Sequence, residues 1–285
     1  MAAEPEVWQR GHPATTPATS PKPLPNVTLC AIDTRTPELA AAALLRCKAG
    51  LAFARTVLFS DRDPGKAGVE VVPVAPLRSA ADYSAFVLKD LLAHVATEFV
   101  LIAQWDGFVL DPQRWDDAFL DWDCIGAPWS KAPPGREVGN GGFTLRSRRL
   151  LQALQDPSLA FHHPEDIAIC QTNARVLEER HGIRFAPREL ASRFAFEDGP
   201  PAVPTLGFHG AYNLPFVMPP AELEAWLAAL PDALLSGRDG WKTVRRLLRT
   251  GQRGLALRTL ERHCASAARP TLKARALLQA LRLAV

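Results

Sequence analysis

The stretch Phe99-Val-Leu-Ile-Ala-Gln-Trp-Asp106-Gly107 decides the fold, because an apolar strand ends here in a carboxylate and a glycine. In open α/β sheets, ligands bind outside the carboxyl ends of the strands, where side chains leave the core. Asp106 stands at such an end, and the polar Gln104 precedes it by two residues. Carboxylate and amide oxygens are ligands for hard divalent cations. Because Asp-Gly is also a common turn pair, a simple turn is the alternative interpretation.

The chain around this stretch alternates between strands and helices. Apolar runs predict strands over 27–32, 56–61, 69–74, 99–106, 123–129, 143–145, 184–187 and 205–210, and helical spacing predicts helices over 37–54, 80–96, 147–154 and 164–180. A proline in the third strand favours an edge position. This order predicts an α/β fold whose mostly parallel sheet is flanked by helices.

Composition divides the chain into three regions. Residues 1–25 hold six prolines and no apolar periodicity, which predicts a disordered leader. Residues 26–218 form the predicted α/β domain. Residues 219–285 are predicted to be an α-helical appendage, with helices over 220–229, 240–250, 252–265 and 270–283.

The C-terminal region carries most of the positive charge. Residues 236–285 hold twelve lysines and arginines against Asp239 and Glu261, whereas acids outnumber bases in the rest of the chain. This asymmetry favours peripheral contact with an anionic membrane or a lipid-linked acceptor. The alternative is that the helices pack on the domain and merely expose their arginines. Nucleic acid is not expected, because Trp241 is the only aromatic residue there and stacking needs several.

The cellular compartment is predicted from absences in the sequence. The five cysteines are scattered and lack a C-x-x-C pair, which favours a reducing compartment over a disulfide framework. The N-terminus has no signal-peptide pattern, and no apolar run reaches the roughly 20 residues that span a bilayer. We therefore expect a cytoplasmic protein, at most membrane-peripheral.

Four polar clusters follow strands or begin helices. They are Gln104 to Gly107, Gly139-Asn140-Gly141-Gly142, Pro164-Glu165-Asp166 and Gly207-Phe208-His209-Gly210. The glycines of the second cluster let backbone approach a ligand closely, or they form a flexible loop. The acids of the third cluster suit a helix start, or they supply a general base. His209 is reachable by a ligand, although a single histidine is commonly structural.

Taken together and in order, these clusters resemble a family of glycosyltransferase-like proteins with a GT-A-type fold. The matching segments are Asp33-Thr34-Arg35, Tyr83 with Lys89, Gln104-Trp105-Asp106, Asp121 to Trp129, Gly139 to Ser147, Pro164-Glu165-Asp166 and Phe208-His209-Gly210. They span roughly residues 26–215. The Gly-Asn-Gly-Gly-Phe and Gly-Phe-His-Gly segments are the most specific of them.

The resemblance implies transfer of a hexosyl group from a nucleotide sugar to a hydroxyl group of a glycan or a lipid-linked acceptor. A UDP-sugar is the first candidate for the donor. The reaction would belong to glycan or polysaccharide synthesis. The resemblance also implies a Mn²⁺ or Mg²⁺ site at Asp106 and His209, with Gln104 where the family motif has aspartate. It assigns Asp166 as the base of an inverting reaction, with Glu165 as the second candidate. The donor-binding residues that it implies are Asp33, Thr34, Arg35, Lys89, Gln104, Trp105, Gly139, Asn140, Gly141 and Gly142.

Two other functions remain open at the level of sequence. A non-catalytic nucleotide- or sugar-binding protein of the same fold is consistent with the single carboxylate of the metal motif. A nucleotidyltransferase would carry a glycine-rich loop after the first strand to hold a triphosphate, and Ile32-Asp-Thr-Arg-Thr-Pro37 has no glycine.

Overall fold

The computed structural model describes residues 20–199, 201–266 and 271–283, so most of the predicted leader lies outside the described residues. The chain divides into two compact units, Met1–His209 and Gly210–Val285. The division falls earlier than the predicted boundary after residue 218, because the turn Ala211–Asn213 packs against the helix Arg238–Arg249.

The first unit is built from strands and short helices. Its strands are β1 (Lys22–Ile32), β2 (Leu51–Ser60), β3 (Glu70–Pro73), β4 (Phe99–Ala103), β5 (Cys124–Gly126), β6 (Phe143–Ser147), β7 (Ala195–Phe196) and β8 (Gly207–Phe208). Its helices are α1 (Pro37–Lys48), α2 (Ala80–Ala85), α3 (Arg148–Ala153), α4 (Glu165–Ile167), α5 (Ala174–His181) and α6 (Arg188–Phe194). One π turn, Phe86–Asp90, extends α2, and another, Ala168–Thr172, extends α4.

The central sheet has six strands in the order β3-β2-β1-β4-β6-β5. The first four strands run parallel, and β6 is antiparallel to both of its neighbours. The predicted α/β class, with a mostly parallel sheet flanked by helices, is confirmed. The predicted edge position of β3 is also confirmed.

The strand order reverses between β1 and β4, and this reversal locates the site. After β1 the chain passes through α1 and returns as β2, which pairs with one side of β1. β4 pairs with the other side of β1, where Val27 lies opposite Phe99. All five residues of β4 are buried, so the strand is held rigidly up to Ala103. Ligands bind in the crevice at such a topological switch point, where Asp33 follows β1 and Gln104 follows β4.

Several predicted boundaries were wrong. β1 begins at Lys22, so residues 22–25 belong to the sheet rather than to the leader. The helix predicted over 37–54 ends at Lys48, and β2 begins at Leu51. The alanines of 51–54 resemble a helix in composition, but pairing with β1, where Lys22 faces Leu51, extends the strand.

Two later elements also differ from their predictions. The stretch 184–187 is not a strand, because it bridges β5 only where Phe185 meets Cys124. The helix predicted over 164–180 is interrupted near Asn173. The Asn173 amide donates to the carbonyl oxygens of Ala160 and Ala168, so it ties the interruption to the preceding loop.

The described part of the second unit is helical, as predicted for the C-terminal appendage. After the turn Ala211–Asn213 come α7 (Leu214–Val217), α8 (Pro220–Ala229), α9 (Asp232–Leu235), α10 (Arg238–Arg249), α11 (Arg253–Ser266) and α12 (Leu272–Leu283). Buried apolar residues of the last three helices, Val244, Leu260, Ala274 and Leu281, form a core of their own. Among the described residues, no helix has both the length and the apolar character needed to cross a bilayer.

Candidate active site

The end of β4 is a tight turn that exposes one carboxylate. The backbone N–H groups of Gln104 and Gly107 each donate to the carbonyl oxygen of the other, both at 3.0 Å. Trp105 and Asp106 form the tip of this turn and are only partly buried. Asp106-Gly107 therefore forms the turn that its sequence allows, and this turn also presents the Asp106 carboxylate at the carboxyl edge of the sheet.

The structure brings Asp106 and His209 together. Asp106 Oδ1 lies 3.6 Å from His209 Nε2, and the two side chains are 14% and 18% exposed. Gln104 Oε1 lies 3.3 Å from the same ring nitrogen. Residues more than one hundred positions apart in sequence thus converge on one imidazole edge.

The other ring nitrogen of His209 faces a glutamate that sequence reasoning missed. β7 and β8 are parallel, with Phe196 opposite Phe208, so Glu197 and His209 leave the two strands side by side. His209 Nδ1 lies 3.1 Å from Glu197 Oε1, and the Asn140 amide donates to Glu197 Oε2 at 2.8 Å. An acid after the apolar pair Ala195-Phe196 is the same signal that identified His209, but this pair follows the helix α6 without a break in the sequence pattern.

Electrostatics hold this histidine in its charged form. Burial alone would lower the pKa of His209, but the carboxylates of Asp106, Glu197 and Asp166 outweigh it and raise that pKa to about 9. Burial would raise the pKa of Glu197, and the hydrogen bond and charge of His209 instead bring it below its usual value. Without a bound cation, the cluster is therefore an ion-pair network at neutral pH.

The Gly139–Gly142 loop lies against this network. Asn140 has a φ of 70°, and its side-chain oxygen accepts from the Gly142 N–H at 3.1 Å. A Cβ at Gly139 would overlap Trp129, one at Gly141 would overlap Glu165, and one at Gly142 would overlap the His209 ring. The protein's own side chains therefore require glycine at these three positions, and a role for this loop in donor binding stays a prediction.

Asp166 shares the same loop. Its Oδ2 accepts from the Gly141 N–H at 3.1 Å, and its Oδ1 accepts from the Ile167 N–H at 2.8 Å. Burial and the neighbouring Glu165 raise the pKa of Asp166 above its usual value. Since Gly142 abuts His209 while Gly141 binds Asp166, one short loop holds both candidate functional groups.

Glu165 has a different environment from Asp166. It is 4% exposed and pairs with the buried Arg146 at 3.3 Å. Ser84 Oγ donates to Glu165 at 3.3 Å and lies 2.9 Å from His163 Nδ1. Arg146 Nε and Nη1 have no hydrogen-bond partner within the described part of the chain. Glu165 is thus committed to a sealed polar cluster, which makes Asp166 the more accessible of the two acids.

Two predicted donor-binding segments have contacts of their own. Asp33 Oδ1 accepts from the N–H groups of Arg35 and Thr36, both at 2.7 Å, in a turn that begins α1. Thr34 Oγ1 accepts from the Leu77 N–H at 2.9 Å. These bonds shape the loop at the end of β1, on the side of the switch point opposite Asp106. A role for this loop in donor binding stays a prediction.

Lys89 donates to the Leu154 carbonyl at 3.2 Å, and its ammonium lies 3.4 Å from the centre of the Phe161 ring. These contacts give Lys89 a packing role between the π turn after α2 and the end of α3. Its predicted donor contact also stays a prediction.

The donor atoms around Asp106 fit a divalent cation. Within the described residues, no group of three or more His, Cys, Asp or Glu side chains has the geometry of a metal site. However, the amide oxygen of Gln104 and the carboxylate oxygen of Asp106 lie 3.3 and 3.6 Å from His209 Nε2. Ligands bound at about 2.0–2.6 Å to one ion lie roughly 3–4 Å from each other. Two hard oxygens and a deprotonated imidazole nitrogen are compatible with Mn²⁺ or Mg²⁺.

The chain belongs to a protein family. Residues 66–209, half of the chain, match the model of the family described as protein of unknown function DUF5672. The matched segment includes the Gln104–Gly107 turn, the glycine loop, both acids of Pro164-Glu165-Asp166 and His209. No curated protein sequence matches the chain.

Several solved structures are similar to this one. A mannosyltransferase from Pyrobaculum calidifontis, in complex with GDP-Man and Mn²⁺, is 15% identical over 98% of this chain and 85% of its own, with a TM-score of 0.37. The apo form of the glycosyltransferase GlyE of Streptococcus pneumoniae is 14% identical over 67% of this chain and 54% of its own, with a TM-score of 0.36. The protein A197 from STIV is 14% identical over 56% of this chain and 79% of its own, with a TM-score of 0.31. At such TM-scores structural similarity does not assign an activity, so the activity is inferred from the geometry of the site.

Proposed function

We propose that this protein is a glycosyltransferase that moves a sugar from a nucleotide-sugar donor to a hydroxyl acceptor, such as that of a glycan. The observation that carries the proposal is the convergence of Asp106, His209 and Asp166 around one glycine loop at the carboxyl edge of the sheet. Glycosyl transfer needs compensation of charge on the leaving diphosphate and a base for the acceptor hydroxyl. This convergence supplies one candidate for each.

Asp106, Gln104 and His209 would hold a divalent cation. When bound, the cation would neutralise negative charge that develops on the diphosphate. Glu197 would accept the Nδ1–H of His209, which fixes the tautomer that leaves Nε2 as a ligand. Loading would require His209 to lose a proton, because its two ring nitrogens are both protonated in the ion-pair network.

Asp166 would accept the proton of the acceptor hydroxyl. Its raised pKa makes its carboxylate a better base than that of an ordinary aspartate. A single carboxylate on the acceptor side favours one displacement, and therefore inversion at the anomeric carbon. Glu165 is a poorer candidate because its carboxylate is engaged by Arg146 and Ser84.

A non-catalytic nucleotide-sugar-binding protein is the second candidate function. The observation that favours it is Gln104, a neutral ligand at a position where a second carboxylate would bind the cation more tightly. Such a protein would bind the donor and the cation without releasing a nucleoside diphosphate.

The test is to incubate the protein with a panel of UDP- and GDP-linked sugars, with and without Mn²⁺, and to follow both thermal shift and release of nucleoside diphosphate. We expect Mn²⁺-dependent binding and release, lost in Asp106→Asn and kept in the matched exposed control Asp90→Asn. Binding without release in wild type, even with added acceptors, would favour the second candidate. Neither binding nor release across the panel would reject both.

A further inference from the structure

Asn140 is a buried polar side chain within the glycine loop. It is 3% exposed, and its φ of 70° lies in the left-handed region, which asparagine tolerates better than most residues. Its Oδ1 accepts from the N–H groups of Gly142 and Phe143, at 3.1 and 3.4 Å. Its Nδ2 donates to Glu197 Oε2 at 2.8 Å. The protein therefore engages the Asn140 amide at both ends.

These partners determine the orientation of the Asn140 amide. If the amide were turned over, its oxygen would face the Glu197 carboxylate and its NH₂ group would face two backbone N–H groups. Both contacts would then be repulsive, because each would join two acceptors or two donors. In the observed orientation, His209 Nδ1 lies 3.1 Å from Asn140 Nδ2 and donates to Glu197 Oε1.

Asn140 controls two contacts of the His209 ring. The first is Glu197, whose carboxylate joins Asn140 Nδ2, at 2.8 Å, to His209 Nδ1, at 3.1 Å. The second is Gly142, whose backbone lies so close to the ring that an added Cβ would overlap it. Since the Gly142 N–H is held by Asn140 Oδ1, a change at residue 140 disturbs both contacts.

We propose that Asn140 is a positioning residue that selects the tautomer of His209 through Glu197. The Asn140 N–H requires an acceptor on the side chain of Glu197, and the carboxylate supplies a second acceptor to His209 Nδ1. The neutral ring therefore keeps its proton on Nδ1 and turns the lone pair of Nε2 toward Asp106 and Gln104. This role is exerted through His209 and needs no contact with a donor. It rests on the proposed function in one respect, since a cation needs an unprotonated Nε2.

An exchange of amide and carboxylate between Asn140 and Glu197 tests this role. In Glu197→Gln, the Asn140 N–H requires the glutamine oxygen. The glutamine NH₂ group then faces His209 Nδ1, and the neutral ring should carry its proton on Nε2. In Asn140→Asp/Glu197→Gln, the new carboxylate accepts from the glutamine NH₂ group, so the glutamine oxygen faces Nδ1 and the proton should return there. This double variant has the net charge of wild type, and it keeps an acceptor for the N–H groups of Gly142 and Phe143.

The measurement is ¹⁵N NMR of histidine-labelled, metal-free protein at high pH, where the ring is neutral. The nitrogen shifts report which atom carries the proton, and His209→Gln identifies the signal. We expect Nδ1–H in wild type and in the double variant, and Nε2–H in Glu197→Gln. The dissociation constant for Mn²⁺, measured by titration calorimetry, should rise about 10- to 100-fold in Glu197→Gln and return to within about threefold of wild type in the double variant.

The control Asn26→Asp/Glu197→Gln makes the same exchange at a half-buried asparagine in the N-terminal part of β1, and it should keep Nε2–H. Melting temperatures establish that the variants fold. If Asn140→Asp/Glu197→Gln does not fold, Asn140→Gly/Glu197→Gln replaces it. Glycine is compatible with the positive φ, and without the N–H of residue 140 both tautomers should appear together.

The proposal is overturned if Glu197→Gln keeps Nδ1–H, or if Asn140→Asp fails to restore Nδ1–H in a folded double variant. It is equally overturned if the Asn26 control restores Nδ1–H, or if Asn140→Gly/Glu197→Gln shows Nε2–H alone. The two readouts separate this inference from the proposed function. If the tautomers follow the expected pattern but wild type binds no Mn²⁺, the positioning role stands and the proposed cation site fails.

Discussion

Two clusters of charge meet in the first unit at adjacent residues, Glu165 and Asp166. The cluster of Glu165 contains Arg146 and Ser84, and all three side chains are almost fully buried. The cluster around Asp166 contains Asp106 and His209, which keep part of their surface open. Both use a carboxylate and a cation, but only the second can reach a ligand. Access, rather than the identity of the charged groups, separates a structural role from a functional one.

The largest effect that we expect concerns the open cluster. Asp166→Asn should reduce turnover of the proposed reaction at least about 100-fold, with donor affinity nearly unchanged, because it removes the base and keeps the shape. Initial rates and donor titrations measure the two effects separately. A near-normal rate in this variant would contradict the assignment of Asp166 as the base.

The sealed cluster should show its effect in stability. Arg146→Met leaves the buried carboxylate of Glu165 without its cation, and we expect a loss of about 3–5 kcal/mol in the free energy of unfolding. Urea denaturation measures this loss. The double variant Arg146→Met/Glu165→Leu should recover part of it, because no unpaired charge then remains. If the single variant is as stable as wild type, the ion pair does not hold this part of the fold.

Two neighbouring glycines lie against side chains of different clusters, Glu165 and His209. Gly141→Ala would press on Glu165 and should mainly lower stability, by about 1–3 kcal/mol. Gly142→Ala would press on the His209 ring and should mainly weaken the response of the melting temperature to Mn²⁺. Gly199→Ala is the control, since a Cβ there meets nothing within 4 Å. Equal losses of stability and of Mn²⁺ response in both variants would mean that the clusters are not separable.

The smallest effect concerns pH. Because the pKa of His209 is raised to about 9, its charged form stabilises the metal-free fold fully below the unfolded pKa of about 6.5. That contribution is lost as the pH rises through 9. Denaturation in the presence of a chelator should therefore show stability falling between pH 6.5 and 9, and His209→Gln should flatten this slope. An unchanged slope in that variant would assign the pH dependence to other groups.

The sequence predicts the open cluster better than the sealed one, for a physical reason. Asp106 and His209 each follow an apolar strand, so local patterns place both at strand ends. They meet because β8, which belongs to the separate β7-β8 sheet, bridges the chain just after the Gln104–Gly107 turn, where Val109 pairs with Gly207. The pairing of Arg146 with Glu165 depends on how a strand and a helix start pack, which no local pattern encodes. Glu197 was missed because the apolar pair before it, Ala195-Phe196, continues directly from the helix α6 and shows no strand pattern of its own.

The glycine loop shows a second limit of sequence reasoning. Three glycines around Asn140 predict close backbone approach, and the structure has it, with Trp129, Glu165 and His209 as the approaching side chains. Composition cannot tell whether the approaching group is a ligand or the protein itself. The early end of α1 has a similar cause, since pairing with β1 overrides the helical preference of residues 51–54.

The most direct test of the open cluster as the functional site is anomalous diffraction from crystals soaked with Mn²⁺ and a nucleoside diphosphate. We predict one manganese peak within about 2.6 Å of Asp106 Oδ1 and His209 Nε2, with the diphosphate bound to it. We also predict that the peak is absent from Asp106→Asn crystals and present in Asp90→Asn crystals. A peak bound elsewhere, or a diphosphate bound away from the Gln104–Gly107 turn, would contradict the assignment of this cluster as the site.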